Sequence, residues 1–296
     1  MKISLCYTTA RIGSFDMILN SAANQDMDKA DFEVIVVDDF YALREFRVHQ
    51  EWEWRYSDIN FTHMAPNVAH DYYDNTHGFN TALRAAKGEL IAFMIDYTWL
   101  EPDYLTSHWD FYQAHPGWSQ TGYIDRFNFP ALDISRLNME HGWWGIFERD
   151  FNKAFAAQHF GRHPPVYQER KGHIGIVHSN GLVEMPGDKI YLIGDTVPRR
   201  VLEEINGLDE RYDNGYGVND IDCGVRCNLA GWHFGVNPNC VVKKLGTPEL
   251  SVKIPNSGKE KGRTWEDNFA VFQERVKAML DGREPVRVPN GFGAWA

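Results

Sequence analysis

A short acidic segment, Asn219-Asp220-Ile221-Asp222, contains the first candidate for chemistry in this chain. The amphipathic run 199–210, which precedes this segment, predicts one helix. The acidic segment itself predicts the start of a second helix, because negative charge is favoured at a helix N-terminus. A carboxylate fixed at such a point can take the proton from a hydroxyl group as its oxygen attacks another molecule. We therefore predict that Asp220 is a general base. Asp222, which faces elsewhere on a helix, is the reserve candidate. The alternative role for Asp220 is that of a helix cap or of a first-turn acid favoured by the helix dipole.

Polar residues that follow apolar runs form the second group of candidates. Four such runs, 3–7, 32–37, 59–63 and 90–95, alternate with helical patterns, which is typical of strand-helix-strand units and a mostly parallel sheet. Ligands of such sheets bind beyond the carboxyl ends of the strands. A hydroxyl group and a fixed cation at a strand end suit a nucleotide and its phosphates, although an ordinary turn would explain the same residues. The residues concerned are Thr8, Thr9 and Arg11, then Asp38 and Asp39, then Asp96.

The remaining patterns predict the elements around these residues. Helices are predicted at 15–22 and 79–86, with Gly88 as a left-handed cap. Beyond residue 102 the helices become rich in Trp and Phe, and one of them is predicted at 138–160.

The second half of the chain predicts short strands at 174–178, 190–193 and 234–242, and a Gly- and Pro-rich linker at 254–263. A final amphipathic helix is predicted to dock on the main body or on a partner. Its apolar residues are Trp265, Phe269, Phe272, Val276 and Leu280.

Composition excludes several classes of protein. The 43% hydrophobic content over 296 residues is that of a globular chain, and a net charge of -11 with no basic run disfavours a general polyanion binder and a nucleic acid acceptor. The four cysteines lack metal-knuckle spacing and are expected to be buried thiols in a reducing compartment. No histidine pair combines ligand spacing with an acid, which disfavours a histidine metal cluster. Without a leader-like or membrane-length apolar segment, the expectation is a soluble, cytoplasmic protein.

Several separated segments together resemble one protein family. The segment 3–11 resembles the family's opening strand and turn at its Thr and Arg positions, 32–39 closely matches the second strand with its terminal aspartates, and 78–93 matches the helix and strand that lead to a metal motif. The Asn219-Asp220 pair stands where the family has an acidic pair. On these residues the chain resembles a family-2-type inverting glycosyltransferase of the GT-A fold. The resemblance covers most of 1–110 and 185–245.

The resemblance implies roles for individual residues. In this family the second member of the acidic pair is the base, which here is Asp220, while Asn219 is an amide in place of the first acid. The terminal aspartates of the second strand hold the base and ribose of the nucleotide. The residues implied for nucleotide binding are Thr8, Thr9, Arg11, Asp38, Asp39, Asn80 and Asp96, and those implied for the acceptor or the donor sugar are Asp195, Tyr216, Gly217 and Asn219.

The metal motif is where this chain departs from the family. Members usually carry Asp-x-Asp after the fourth strand, whereas Asp96 is the lone carboxylate here and Glu101 is too far along the chain to be its partner. One carboxylate with water and phosphate oxygens can still hold Mn2+ or Mg2+. The family's histidine after the last strand is also missing, and Lys243 and Lys244 stand there instead. We predict that these lysines, with Arg11, offset the diphosphate charge and reduce metal dependence, unless they are paired surface lysines.

The sequence thus predicts an α/β GT-A domain at 1–250, with a Rossmann-like nucleotide-binding half at 1–110 and an acceptor half at 111–250. The central sheet is predicted to be mixed and flanked by helices, and 251–296 is predicted to be a linker and a C-terminal amphipathic helix. The expected reaction is inverting transfer of a hexose from a nucleoside-diphosphate sugar, with uridine as the family's usual nucleoside, to a hydroxyl acceptor. A non-catalytic or metal-independent sugar-nucleotide binder and a nucleotidyltransferase on a related fold are the alternatives. The sugar, the acceptor and the oligomeric state stay open.

Overall fold

The first layer of the fold is a five-stranded sheet. The computed structural model describes residues 1–9, 15–68, 75–96, 98–127, 167–169, 175–215, 217–245 and 262–289. Four strands of this sheet are parallel, and the edge strand β10 is antiparallel to its neighbour β4. In the order β10-β4-β1-β2-β3 the strands are Thr196–Pro198, Leu90–Ile95, Ile3–Thr9, Phe32–Asp38 and Asn60–Met64.

The three inner strands β4, β1 and β2 are buried on both faces, which explains their nearly unbroken apolar sequence. All seven residues of β1 are buried, and successive side chains enter different cores. Leu5 and Tyr7 pack in one cluster with Leu19 of the first helix, whereas Cys6 packs in the opposite cluster with Phe79. Burial of each large apolar side chain contributes on the order of 1.5–3 kcal/mol.

Helices cover both faces of the sheet. The helix that follows β2 continues through a π-helical turn, Val48–Trp52, into a short α-helical turn. No helix in the described part of the chain is both long and apolar enough to cross a membrane. The helices are α1 (Phe15–Ala23), α2 (Tyr41–Arg47), α3 (Glu53–Arg55), α4 (Asn75–Ala85), α5 (Tyr104–Ala114), α6 (Arg199–Ile205), α7 (Asn219–Leu229) and α8 (Trp265–Leu280).

A second, mixed sheet continues the fold. Its longest strand, β11, pairs with β9 near its beginning, with β5 near its end, and with β6 over most of its length. Because β5 follows Asp96 directly in the chain, β11 reaches the carboxyl edge of the first sheet. The strands are β5 (Thr98–Leu100), β6 (Trp118–Phe127), β7 (Tyr167–Glu169), β8 (Ile176–Val177), β9 (Val183–Glu184) and β11 (His233–Leu245).

A buried ion network joins α7 and α8 to the loop after α6. The Asp222 carboxylate accepts hydrogen bonds from Arg226 Nε at 2.7 Å and Tyr212 Oη at 3.1 Å, and Arg275 of α8 pairs with Asp209. Asp209, Asp222 and Arg226 are fully buried, and Arg275 is nearly so. Charges removed from water are tolerated only when they are paired, so the network fixes α7 and α8 relative to the loop.

The structure confirms most of the predicted elements of the first sheet and corrects several details. All four predicted strands before residue 100 are present. Gly88 is not a left-handed cap: α4 ends at Ala85, and Gly88 is required because an added Cβ would lie 2.3 Å from Ser4 N. The segment 190–193 forms no strand, because Leu192 and Gly194 take positive φ angles of 58° and 79° and only Ile193 makes a bridge. The predicted helix at 138–160 lies outside the described residues, as does most of the predicted linker.

The C-terminal helix exists, and its buried face overlaps the predicted one but is shifted: Phe269, Phe272 and Val276 pack inward as predicted. Phe272 is buried as expected, whereas Leu280 is 67% exposed. The helix is rotated so that Asn268 and Arg275 face inward, and their hydrogen bonds to Tyr212 O and Asp209 decide the orientation. An apolar-spacing argument could not detect an inward face that is partly polar.

The cysteines are as predicted. Cys6, Cys223, Cys227 and Cys240 are all free thiols, and all are buried. Burial raises the pKa of the Cys6 thiol well above its usual range, so this thiol stays protonated and unreactive.

Replacement of Asp222 tests the buried network. Asp222→Asn should lower the free energy of unfolding by about 3–5 kcal/mol, because it leaves Arg226 buried without its counter-charge. The measurement is the urea midpoint of unfolding. Asp188→Asn is the control, since Asp188 pairs with Lys189 at 48% side-chain exposure and should change stability by about 0.5 kcal/mol or less. Equal midpoints for the two variants would contradict this account.

Candidate functional site

The carboxyl ends of three parallel strands meet at one edge of the first sheet. The register places Thr9 beside Asp38 and Thr8 beside Ile95, one residue before Asp96. The Asp39 N–H also donates to Thr9 O at 3.0 Å, which joins the two loops that follow these strands. Most of the predicted strand-end residues therefore lie along one edge, where ligands of parallel sheets bind.

The two adjacent aspartates of β2 have different surroundings. Asp38 is fully buried, and its carboxylate accepts hydrogen bonds from Arg44 Nη1 at 2.9 Å and Phe40 N at 2.8 Å, with His63 Nε2 at 3.0 Å. Asp39 is only half-buried. Asp38 therefore stabilises the turn after β2 from the protein interior. Of the two acids, Asp39 is the one that solvent can reach.

The Asp96 carboxylate is hydrogen-bonded to a tyrosine of the neighbouring strand β1. The Tyr7 hydroxyl donates to Asp96 Oδ1 at 2.5 Å, and both side chains are buried. Burial raises the pKa of Tyr7 well above its usual range, and the negative charge of Asp96 raises it further. Tyr7 therefore remains a neutral hydrogen-bond donor that fixes the direction of the Asp96 carboxylate.

The two lysines of β11 pair with β5, the strand that begins two residues after Asp96. Lys244 lies opposite Thr98, which follows Asp96 by two positions, and Lys243 lies opposite Trp99. Successive side chains of a strand point to opposite faces. Lys243 forms an ion pair with Glu101, so the two lysines have different environments.

Asp220 occupies the second position of α7. It is half-buried, and its carboxylate accepts a hydrogen bond from Ile221 N at 2.9 Å. The turn before the helix uses Gly217 and Val218, both at positive φ, and α7 has no side-chain cap. Asp220 is therefore not the cap residue, because the cap position belongs to Val218, but it is a first-turn acid, the other form of the alternative role. The acid nevertheless lies in the first turn, where the helix dipole favours its charge.

The loop that leads to Asp220 is bonded to the start of α4. The Asp213 carboxylate accepts hydrogen bonds from Thr76 N at 2.9 Å and His77 N at 3.0 Å. The first residue of the same helix, Asn75, accepts a hydrogen bond from Thr8 Oγ1 at 2.8 Å. One helix start thus contacts both the end of β1 and the loop before α7. This arrangement joins the end of β1 to the loop that precedes the Asp220 turn.

Other predicted site residues are placed in the interior. Asn80 is fully buried, donates to Leu208 O and accepts from Leu208 N, both at 2.9 Å. Asp195 is fully buried, and its carboxylate accepts from Thr121 Oγ1 and, at 3.3 Å, from Tyr191 N. These contacts give both residues a positioning role, and ligand contacts by them stay predictions. Asn219 begins α7 and Gly217 packs against Trp265, whereas Arg11 and Tyr216 lie outside the described residues.

Sequence reasoning missed two parts of the arrangement. Tyr7 ends an apolar run and was interpreted only as part of the strand, although a Tyr at a strand end is also a donor. A histidine cluster was disfavoured, yet His178, Glu184 and His233 place one ligand atom each within 4.8 Å of one another. His178 and Glu184 flank a short turn, which was a local signal, but His233 comes from a distant strand and no spacing rule could have included it.

Comparison with known proteins supports the fold. No protein-family model and no curated protein sequence matches the chain. Among solved structures, S. aureus TarS 1-349 matches with a TM-score of 0.56 and 16% identity over 83% of this chain and 60% of that one. Its complex with UDP-GlcNAc matches with a TM-score of 0.55 and 15% identity over 85% and 61%. A mannosyltransferase, PcManGT from Pyrobaculum calidifontis with GDP-Man and Mn2+, gives 0.50 and 17% over 82% and 56%.

These likenesses define the fold class. The chain has the mixed α/β architecture of these GT-A-like structures, with a mostly parallel sheet flanked by helices, and the predicted fold class is confirmed. The chain spans about three fifths of the two TarS chains that it matches. At such low identity the match shows the fold alone, so the narrower family-2 assignment stays a prediction.

The positioning role of Asn80 can be tested by removing its amide. Asn80→Ala should lower the free energy of unfolding by about 2 kcal/mol, because the buried Leu208 N–H and C=O lose their partner. Hydrogen exchange of residues 206–215 should accelerate in parallel. The exposed Asn239, changed to Ala, is the control and should leave both quantities near those of the unmodified protein. An unchanged exchange rate in Asn80→Ala would show that the loop does not depend on this amide.

Proposed function

We propose that the protein transfers a sugar from a nucleoside-diphosphate sugar to an acceptor hydroxyl group, with inversion at the anomeric carbon. The observation that carries this proposal is that α4 contacts both Thr8 at the strand-end edge and Asp213 in the loop before Asp220. The start of α4 then connects the proposed nucleotide site with the loop that leads to the proposed carboxylate base. The GT-A-like fold is consistent with this, since structures that share it were solved with UDP-GlcNAc and GDP-Man.

The nucleotide is assigned to the strand-end edge. Thr8, Thr9 and Asp39 line this edge, and Asp38 orders the turn through Arg44 and His63. Arg11 is proposed for the phosphates because a guanidinium group binds them in a bidentate manner. The GT-A resemblance makes uridine the proposed nucleoside, and a TarS structure with the same fold contains UDP-GlcNAc.

Asp220 is proposed as the general base. Its carboxylate takes the proton of the acceptor hydroxyl group while the hydroxyl oxygen attacks the anomeric carbon, and the bond from that carbon to the diphosphate oxygen breaks. Attack on the side opposite the leaving diphosphate inverts the configuration. The buried network under α7 holds the helix start rigidly, which is the property that a positioned base requires. Asp222 is engaged in that network and is no longer a reserve candidate.

Among the described residues, those at the strand-end edge include no group of three metal-ligating side chains. The described residues contain one group of three or more metal-ligating side chains, and it is the histidine cluster on the second sheet. Asp96 carries the only carboxylate of its segment 94–100 and is bonded to Tyr7. We therefore assign no step to Mn2+ or Mg2+, although PcManGT was solved with Mn2+. Lys244 and Lys243 lie opposite the strand that begins two residues after Asp96. We propose that they offset the charge of the leaving diphosphate.

The lack of an Asp-x-Asp motif around Asp96 also favours a second candidate function, that of a non-catalytic sugar-nucleotide binder. In such a protein the strand-end edge would bind the nucleotide, and Asp220 would be a first-turn acid without a chemical role. Replacement of Asp220 separates the two candidates.

Asp220→Asn should reduce turnover at least about a hundredfold, because loss of a general base typically costs between 10² and 10⁴ in rate. Nucleotide affinity should stay within about threefold, since the strand-end edge is untouched. The assay is release of UDP from UDP-sugars, with affinity measured by calorimetry, and Asp188→Asn is the control. Turnover equal to that of the control would remove the base from the proposal. Nucleotide binding without any turnover in the unmodified protein would favour the binder.

The cationic role of Lys244 predicts weak dependence on divalent ions. The unmodified protein should keep at least about a tenth of its turnover in excess EDTA, whereas Lys244→Ala should lose at least about tenfold through weaker stabilisation of the leaving group. Lys189→Ala, which removes a surface lysine paired with Asp188, is the matched control. Complete loss of turnover in EDTA, restored only by Mn2+ or Mg2+, would contradict the prediction.

A further inference from the structure

The histidine cluster lies on the second sheet, at the end remote from the strand-end edge. His178 and Glu184 come from the hairpin of β8 and β9, and His233 begins β11. Glu184 accepts on both oxygens: Oε2 lies 2.6 Å from His178 Nε2, and Oε1 lies 2.8 Å from His233 Nδ1. The three residues therefore converge on one point from two separate stretches of chain.

We propose that His178, Glu184 and His233 form a zinc site that fastens the β8–β9 hairpin to β11. Two imidazoles and one carboxylate are a donor set that suits Zn2+, which completes a tetrahedron with water or another group. The three ligand atoms lie within 4.8 Å of one another, so a small adjustment admits an ion with bonds of about 2.0–2.2 Å. In the metal-free protein the same nitrogens donate their protons to hydrogen bonds with Glu184. On zinc binding each imidazole changes to the tautomer that carries its proton on the other ring nitrogen, so that the nitrogen facing Glu184 presents its lone pair to the ion.

The surroundings hold the ligands in place. Trp118, which is 8% exposed, stacks on His233 with a centroid distance of 4.8 Å and meets His178 edge to face at 4.9 Å. Asn228 Nδ2 reaches Glu184 Oε1 at 3.5 Å, which adds a weak outer contact to the carboxylate. Glu184 has a side-chain exposure of 10%, against 31% for His178 and 38% for His233. The carboxylate is thus anchored in the protein while the imidazoles leave an entry path for the ion.

Within the described residues, the hairpin has few backbone links to β11. Each of its strands is two residues long, and its ladder pairing with β11 is the single pair Gly235 and Glu184. Directly after β9, the Met185 N–H donates to Phe234 O at 2.8 Å. Ile176 and Val177 are 57% and 73% exposed, so apolar burial contributes little there. Small two-stranded units are marginal in water without additional support. A zinc ion that joins His178 to His233 would supply this support.

The site is separate from the proposed sugar-transfer chemistry. His233 lies opposite Trp118 and Lys243 lies opposite Asp125 on the neighbouring strand β6, an offset of seven residues that corresponds to roughly 23 Å of strand. The zinc ion is therefore assigned a structural role and no part in catalysis. Its test needs no substrate, so the result is independent of whether the protein transfers a sugar.

The test is calorimetric titration of the tag-free, metal-free protein with ZnCl2. We expect saturable binding of one equivalent and a higher melting temperature with zinc. His178→Asn and His233→Asn should each weaken binding at least tenfold and abolish the thermal shift. His115→Asn is the matched control, because His115 is half-buried on another element and should bind zinc as the unmodified protein does. With Co2+ the unmodified protein should show the visible bands of a four-coordinate ion.

The outcomes that overturn the proposal are equally definite. They are an absence of saturable binding, binding by both cluster variants with unchanged affinity, or an equal loss in His115→Asn. If a histidine variant fails to fold, Glu184→Gln replaces it, because it keeps the shape and a hydrogen-bonding oxygen but loses the charged ligand. Unchanged zinc affinity in folded Glu184→Gln would show that the triad is a hydrogen-bonded cluster only.

Discussion

Pairing of charges that have been removed from water is the constraint on which the packing of α7 and α8 depends. Asp209, Asp222, Arg226 and Arg275 are contributed by a loop and two helices, and none of them could be buried alone. The loop between α6 and α7 must therefore take one path, since Arg226 Nη1 also donates to the carbonyl groups of Ile205 and Gly207. The direction of α7, and with it the position of Asp220, follows from this arrangement. A hydrophobic core alone would fix these helices less uniquely, because apolar contacts are not directional.

The strand-end edge is organised by a different principle, the common register of parallel strands. Apolar strands buried on both faces leave polar residues where they end, so Thr8, Asp38 and Asp96 are brought together by the sheet itself. What each residue does there depends on its partners. Asp38 is saturated by Arg44, His63 and a backbone N–H, and Asp96 is oriented by Tyr7. The edge thus combines a rigid inner layer with more exposed groups such as Asp39.

The sequence was informative where a signal is local. Periodicity predicted the parallel strands and α4, because burial on both faces or on one stripe imposes a pattern that can be read within about ten residues. It did not predict the inward face of α8, where Asn268 and Arg275 are buried by partners more than fifty residues away in the chain. Gly88 was interpreted from conformation alone, whereas its requirement arises from contact with β1. Asn80 was predicted as a nucleotide ligand from a family motif. Only the structure shows that its amide forms two hydrogen bonds with the Leu208 backbone.

The interlocked charges also constrain how this sequence can change. A neutral residue at position 209 would leave Arg275 with only the longer contact to Asp222, and a neutral residue at 275 would leave Asp209 with Arg211 as its remaining cation. Each single replacement therefore weakens the network, while the joint replacement by apolar residues is less costly. Among related chains, positions 209 and 275 should accordingly vary as a pair. From its sequence alone, α8 looks like an extension that could be removed. Because its Arg275 pairs with Asp209, this helix and the loop that carries Asp209 should be retained together.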